Sequence, residues 1–335
     1  MKLAIIGAGL AGLTCAKTAR EAGHEVTLFD KGRGPGGRCS TRRAESPIGE
    51  LRFDHGTIGF RPHSEEFRQM ASDWVETGLV KSWQPRAARL SDHGLEAIRA
   101  DKSEAQPWYV GAPAMNALIK TLAAEETAHF GIRLHKLERD GASWRLSFED
   151  DHEDMLFDGV VVAVPAEQAG PILDTAAPQL AHEARTAEAA PCWSVMLGFD
   201  RPLPLEFDLI VGDGAPFTRI VRNASKPDRP AGESWVLQAS AEWSRTHVDR
   251  PKEEVGAELL SAFQAVANIS FEPVLSMTHR WLYARTSKPV GTPASWDDEL
   301  KIGTCGDWHL GPELEHAWLS GRVLGERLKS LAYAL

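Results

Sequence analysis

The first apolar run, KLAII at residues 2–6, stops at Gly7 and has the pattern of a strand buried on both faces. Residues 10–22 carry helix formers and stop at Gly23, where a glycine suits a helix C-terminus. HEVTLFD (24–30) reads as a second strand, so the chain opens βαβ. Residues 131–151 alternate as two antiparallel strands about Asp140-Gly141, and 159–169 read as a β-branched strand closed by Pro165. Between 190 and 285 the pattern changes. CWSVMLGFD, FTRIVRN, SWVLQASAEWS and VLSMTHRWLYAR predict an antiparallel sheet, with a helix near 252–267 and Pro/Gly-rich loops at 201–204, 212–216 and 226–232. After KIGTCGDW and Gly311-Pro312, a helix starting near Pro312 carries an apolar stripe at Leu314, Ala317, Trp318, Gly321, Leu324 and Leu328, so it is expected to pack on a sheet.

These shifts predict an α/β protein with an α+β second domain. A discontinuous nucleotide-binding domain would take 1–60, 110–165 and 290–335, and a substrate domain 61–109 and 166–289. Length agrees, since 335 residues allow one large α/β domain or two sharing a core.

Composition narrows the function classes. Apolar content of 43% and charged content of 25% are ordinary for a globular protein. A net charge of −10 argues against a nucleic-acid partner. Arg33, Arg38, Arg42 and Arg43 form a local basic patch that suits a small anionic ligand. The N-terminal apolar run is broken by glycines and lacks a small-residue cleavage site, so no signal peptide is expected. No segment approaches the ~18 apolar residues of a membrane span. Cys15, Cys39, Cys192 and Cys305 are far apart, which predicts a reducing cytoplasm, no disulfide framework and no zinc site. Nothing in the sequence calls for an obligate protein partner.

The chemistry-bearing motifs follow the predicted elements. Gly7-Ala8-Gly9-Leu10-Ala11-Gly12 fits GxGxxG between a strand and a helix, with Asp30 at the end of the next strand. Gly7 serves the tight turn, Gly9 the close approach to a pyrophosphate, and Gly12 the helix–strand packing. The helix N-terminus favours phosphate, and Asp30 can accept from a ribose diol. Gly36-Gly37-Arg38 then brings backbone and a bidentate guanidinium to the pyrophosphate. Gly306-Asp307, before the last helix, supplies a second element suited to ribityl hydroxyls and a flavin edge. Two helix dipoles on one long anionic cofactor point to FAD rather than NAD.

With IGAGLAGL, FDKGRGPGGR, WVLQASAEWSR, HRWLYAR, CGDW and AWLSG spread over nearly its whole length, the chain resembles the FAD-dependent amine-oxidase superfamily, most closely its renalase family and that family's bacterial members. The resemblance implies a Rossmann-like FAD-binding domain of the glutathione-reductase/amine-oxidase type, an inserted antiparallel-sheet domain, and non-covalent FAD. It further implies that Ala11, Lys31, Ile58, Gly59, Leu137, Leu314 and Glu315 join the cofactor site. Renalase-like proteins oxidise 2- or 6-dihydro isomers of NAD(P)H, with O2 as acceptor and hydrogen peroxide and NAD(P)+ as products. Such a ring yields hydride without a base, so positioning and desolvation carry the reaction. No carboxylate pair, Ser/His/Asp set or HExxH motif suggests other chemistry.

Substrate-site candidates come from the sheet. If THRWLYAR is a strand, His279, Trp281, Tyr283 and Arg285 share one face, while Asn223 and Trp193 are family-like positions bordering the cavity. An aromatic core face with a satisfied histidine remains the other reading of these residues. Asp54-His55 is expected to be neither a metal site nor a catalytic dyad. The chain departs from the family at Thr57-Ile58-Gly59, where alanine, glutamine and tyrosine are usual, and at His316, where a small residue is usual. Gly59 is thereby expected to widen the substrate pocket. Two further readings stay open: another flavin amine oxidase or desaturase, and a flavin-binding protein without turnover.

Overall fold

The computed structural model describes residues 1–98, 107–149, 153–212 and 216–332. Most of the loop expected at 212–216, and the end of the strand pair expected to reach 151, lie outside them. The chain forms two compact units. The first comprises Met1–Arg38, Ile119–Ala189 and Arg285–Leu335, and the second Cys39–Leu118 and Ala190–Ala284. These boundaries differ from the expected ones. Residues 39–60 and 110–118 fall in the second unit, and 166–189 and 285–289 in the first.

In the first unit, a six-stranded sheet runs in the order Ser295–Asp297, Ile302–Thr304, Gly159–Val162, Lys2–Ile6, Glu25–Asp30, Thr127–Phe130. Every pair is parallel except the first. Lys2–Ile6 lies inside this sheet with Leu3, Ala4, Ile5 and Ile6 buried, which explains its unbroken apolar run. Leu134–Asp140, Ser143–Phe148 and Met155–Phe157 make a separate antiparallel sheet, with the turn at Asp140 as expected. Its Leu137, Trp144 and Phe157 share a core with Phe29, Val160 and Trp308.

Two expectations change here. The strand expected over 159–169 ends at Val162, and Pro165 caps a helix at Ala166–Leu173. Proline fixes φ and needs no N–H partner there, so it starts a helix as readily as it stops a strand. The last helix, Leu314–Ala332, packs on the first, Leu10–Glu21, rather than by its apolar stripe on a sheet alone. A Cβ at Gly321 would run into the Ala11 carbonyl, and one at Gly325 would lie 2.5 Å from Thr18 Cβ. Glycines four residues apart lie on one helix face and let the two backbones approach.

The second unit is built on a seven-stranded sheet ordered Leu275–Lys288, Glu188–Phe199, Glu233–Ala239, Phe217–Arg222, Leu209–Gly212, Ala87–Ser91, Gly94–Ala97. The sheet is mixed rather than purely antiparallel, because Leu209–Gly212 pairs parallel with Ala87–Ser91. The helix expected near 252–267 is Lys252–Ala267, and its Leu259 and Phe263 pack with Phe199 and Trp235. The AEWS end of SWVLQASAEWS is a short helix, Ala241–Thr246, started by Ser240, whose hydroxyl accepts from Trp243 N at 3.2 Å.

Candidate active site

In the first unit, the turn after Lys2–Ile6 has the geometry of a phosphate loop. Gly7 has φ 108°, and a Cβ there would sit 2.7 Å from the Ala163 carbonyl oxygen. Gly12 presses on the Gly7 carbonyl, so any side chain would push the helix off the strand. Gly9 forms the N-terminal boundary of the helix, with no side chain capping it and no atom within 4 Å of a built Cβ. That end of the helix, where Leu10 and Ala11 are buried, is therefore open toward a ligand at Gly9. Asp30 is oriented by backbone donors, Ala8 N at 2.8 Å and Gly32 N at 2.6 Å. Gly37, at φ 51°, lies beside this turn, with Gly9 Cα the nearest atom to its built Cβ at 3.8 Å.

Arg38 and Asp307, 269 residues apart, are brought together as a bidentate pair, with one contact at 2.8 Å. Asp307 is buried and also accepts from Thr286 Oγ1 at 2.8 Å. Gly306 N donates to Ser320 Oγ at 2.9 Å, which ties the Asp307 turn to the last helix. That helix starts at Leu314, after a 3-10 turn at Asp307–His309, rather than near Pro312. Glu315 is buried in its first turn. Lys31 donates to Gln168 Oε1 at 2.8 Å, and Leu137 sits in the core. Open Gly9, adjacent Gly37 and an arginine–carboxylate pair fit the phosphates and hydroxyls of a dinucleotide. Arg38, Gly37 and Gly9 would hold the pyrophosphate, Asp30 the adenosine ribose and Asp307 the ribityl chain.

In the second unit, the strand Gly49–Phe53 ends at Asp54, whose carboxylate is fully buried. It accepts from Lys226 Nζ at 2.9 Å, Arg229 Nη2 at 2.7 Å, Thr41 Oγ1 at 2.7 Å and Met115 N at 3.1 Å. Burial by itself would raise its pKa, but Lys226 and Arg229 outweigh that and hold the carboxyl well below its usual range. Burial lowers Lys226 to about 8, with Asp54 opposing and Arg229 adding to the fall. Asn223 is part of this network rather than a free pocket residue. Its side chain accepts from Asp54 N at 3.3 Å and donates to Arg52 O at 2.6 Å. The sequence offered no sign of the network, because its members are scattered from Thr41 to Arg229.

His55 turns away from this network, so Asp54-His55 is no dyad. His55, His279 and Trp281 form a ring cluster with centroids 5.0 Å (His55–His279), 5.1 Å (His55–Trp281) and 4.5 Å (His279–Trp281) apart. Trp281 Nε1 donates to His55 O at 3.0 Å. The strand Leu275–Lys288 places His279 and Trp281 together by alternation, as expected. Burial lowers both histidines to about 4. His279 and Arg42 add to the fall at His55, and Arg42 and Lys252 add to it at His279. Both rings are therefore neutral at physiological pH.

Trp193 is not in this cluster. It is buried in the sheet–helix core, donates to His247 O at 3.0 Å, and lies under Arg280, which alternates away from His279 and Trp281. Arg285 belongs to the first unit and pairs there with Glu313 at 2.9 Å. Ile58 and Gly59 belong to the second unit, and Ile58 is buried. The room expected at Gly59 is filled: a Cβ there would meet Tyr109 O at 3.0 Å, Val110 Cγ1 at 3.1 Å and Trp108 Cε3 at 3.3 Å. His316 accepts from Glu313 N at 3.2 Å and also lies against Gly311. Among the described residues no group of three or more His, Cys, Asp or Glu could hold a metal, and no helix is long and apolar enough to cross a membrane.

Comparison with known proteins agrees with this architecture. Residues 5–74 match the NAD(P)-binding Rossmann-like domain model, and residues 85–300 match the model of flavin containing amine oxidoreductases. The solved structures it resembles include a putative protoporphyrinogen oxidase from Exiguobacterium sp. 255-15 (TM-score 0.76, 15% identity, 98% of this chain and 99% of that one). Another is cyclohexylamine oxidase from Brevibacterium oxydans IH-35A (TM-score 0.72, 12% identity, 98% and 99%). Among curated proteins, 202 residues are 29% identical to the tRNA 5-methylaminomethyl-2-thiouridine biosynthesis bifunctional protein MnmC of Magnetococcus marinus, covering 49% of this chain and 29% of that protein. A 63-residue stretch is 53% identical to 4,4'-diapophytoene desaturase of Staphylococcus aureus, covering 18% of this chain and 12% of the desaturase. The chain thus spans less than a third of the length of these curated relatives. It belongs to the flavin containing amine oxidoreductase family. As a member it is a flavin-dependent oxidoreductase.

Proposed function

We propose that the protein is a renalase-like oxidase that takes hydride from 2- or 6-dihydro isomers of NAD(P)H. The observation that carries this reading is the His55–His279–Trp281 cluster, which is aromatic and uncharged and stands in the field of Arg42 and Lys252. A cationic field beside neutral rings disfavours an ammonium substrate and suits a neutral dihydropyridine bearing phosphates. Asp54, the nearby carboxylate that would favour an ammonium group, is already held by Lys226 and Arg229. The overall reaction balances as dihydro-NAD(P) + O2 + H+ giving NAD(P)+ + H2O2. FAD, when bound, supplies the two-electron acceptor that links substrate to O2. His279 and Trp281 would meet the substrate ring. Asn223 acts by fixing the backbone at 52–54. Trp193, deep in the core, has no direct part. The basic groups and the absence of a required base make positioning and exclusion of water the protein's main contribution.

The test is to purify the protein, record its visible spectrum, and follow anaerobic bleaching of the flavin band by dihydro-NAD(P) isomers and by a panel of amines. Rapid bleaching by the isomers is expected. Bleaching by amines alone would favour the amine-oxidase reading instead.

A further inference from the structure

The Asp307 carboxylate has more donors than an ion pair requires. Arg38 donates to both of its oxygens, Nη1 to Oδ2 at 2.8 Å and Nη2 to Oδ1. Thr286 Oγ1 is a third donor, also to Oδ2, at 2.8 Å. All three residues belong to the first unit. A carboxylate accepts at about four lone-pair sites, two on each oxygen. Among the described residues, Oδ2 therefore has both of its sites taken, while Oδ1 has one taken by Arg38 and one that no residue takes. The turn that carries the carboxylate is itself fixed. Asp307 O accepts from Leu310 N at 2.9 Å and Gly311 N at 2.7 Å, and Gly306 N donates to Ser320 Oγ at 2.9 Å. The two donors to Oδ2 differ in stiffness. Arg38 reaches Asp307 on a long side chain that is 30% exposed, whereas Thr286 is 5% exposed, β-branched and set in a strand. Thr286 is the rigid point against which the carboxylate is oriented.

We propose that Thr286 is a positioning residue for the flavin cofactor: by taking the second site on Asp307 Oδ2, it leaves Oδ1 as the oxygen that accepts a ribityl hydroxyl. This goes beyond the oxidase reading and rests on the assignment of Asp307 to the ribityl chain. The Thr286 hydroxyl has one hydrogen, which Asp307 receives, so Thr286 acts through the carboxylate and is not itself a donor to the cofactor. With that hydroxyl removed, each oxygen would keep one bond to Arg38 and offer one open site. The carboxylate would also lose its sole side-chain partner other than Arg38 among the described residues. A ribityl hydroxyl would then meet two equivalent acceptors on a less constrained group, and ordering now built into the fold would have to occur on binding. The adenosine end does not depend on Thr286, because Asp30 is held by Ala8 N and Gly32 N. A ligand that ends at the diphosphate should be indifferent to Thr286, and that contrast separates positioning from a general effect on folding.

The full-length protein, stripped of flavin, would be titrated with FAD and with ADP by isothermal titration calorimetry. Thr286→Val keeps the side chain's shape and removes the hydroxyl. It should weaken FAD about tenfold while ADP stays within about twofold of wild type. Thr286→Ser returns the hydroxyl and should recover much of the FAD loss, which a packing role would not. Thr286→Ala takes the place of Thr286→Val should the latter not fold. FAD affinity within about twofold of wild type in the variant without the hydroxyl overturns the proposal. So do equal losses for FAD and ADP, or a Thr286→Ser protein that binds FAD no better than the variant without the hydroxyl. A wild type that binds FAD no tighter than ADP overturns the ribityl assignment, and the proposal with it. None of these titrations involves a substrate, so they stand apart from failure of the oxidase reading, which would appear as bleaching by amines and not by dihydro-NAD(P) isomers.

Discussion

Replacing Asp54 by asparagine keeps the side chain's size but removes the only carboxylate contacting Lys226 and Arg229 among the described residues. The side chains of Asp54 and Lys226 are fully buried and that of Arg229 is 1% exposed, so no water replaces the lost charge. Removing one partner of a buried ion pair costs about 3–5 kcal/mol, a large share of the roughly 5–15 kcal/mol that stabilises a domain. The pH dependence identifies the cause. Lys226 already titrates near 8 with Asp54 present, and without it the lysine would release its proton at lower pH still. A base whose folded pKa lies below its unfolded value gains stability as pH rises between the two. The deficit of Asp54→Asn should therefore shrink as pH rises from about 7 to about 9, and only in part, because Arg229 stays charged. Urea unfolding followed by far-UV circular dichroism at both pH values measures this. Lys226→Met added to Asp54→Asn should recover part of the loss. A midpoint for Asp54→Asn matching wild type, or a deficit with no pH dependence, would refute the account of Asp54 as the counter-charge of this cluster.

Three further outcomes test the cofactor cradle and packing. Arg38→Ala removes the arginine partner of Asp307 and the proposed pyrophosphate donor, so purified protein should carry less than stoichiometric FAD; full retention after gel filtration would count against that role. Gly321→Ala drives a methyl into the Ala11 carbonyl and should destabilise by about 3 kcal/mol or more, seen as a lower melting temperature. The same change at an exposed position of that helix should slightly stabilise it. His55, His279 and His309 are each pushed down to about 4, chiefly by burial, so the unfolded chain binds more protons at lower pH. Stability should therefore fall as pH drops from about 6.5 toward 4, and a chemical-denaturation midpoint flat across that window would refute it.

The sequence determined the parts whose signals are local. Glycine spacing at 7–12, the strand-ending Asp30 and the loop at Gly36-Gly37-Arg38 specified a dinucleotide cradle, because close backbone approach to a phosphate has few substitutes for glycine. Period-two alternation likewise placed His279 with Trp281. What only tertiary structure decided depends on pairings between distant residues. Asp307 meets Arg38 across 269 positions, and Asp54 gathers partners from Thr41 to Arg229. The strands at 87–97 entered the sheet unannounced, and Gly59 proved to be filled by its neighbours rather than open. His55 reads as inert beside Asp54 in the sequence, since a local motif cannot show which ring from position 279 or 281 will face it. Long-range packing sets burial, and burial sets the charge state of each histidine.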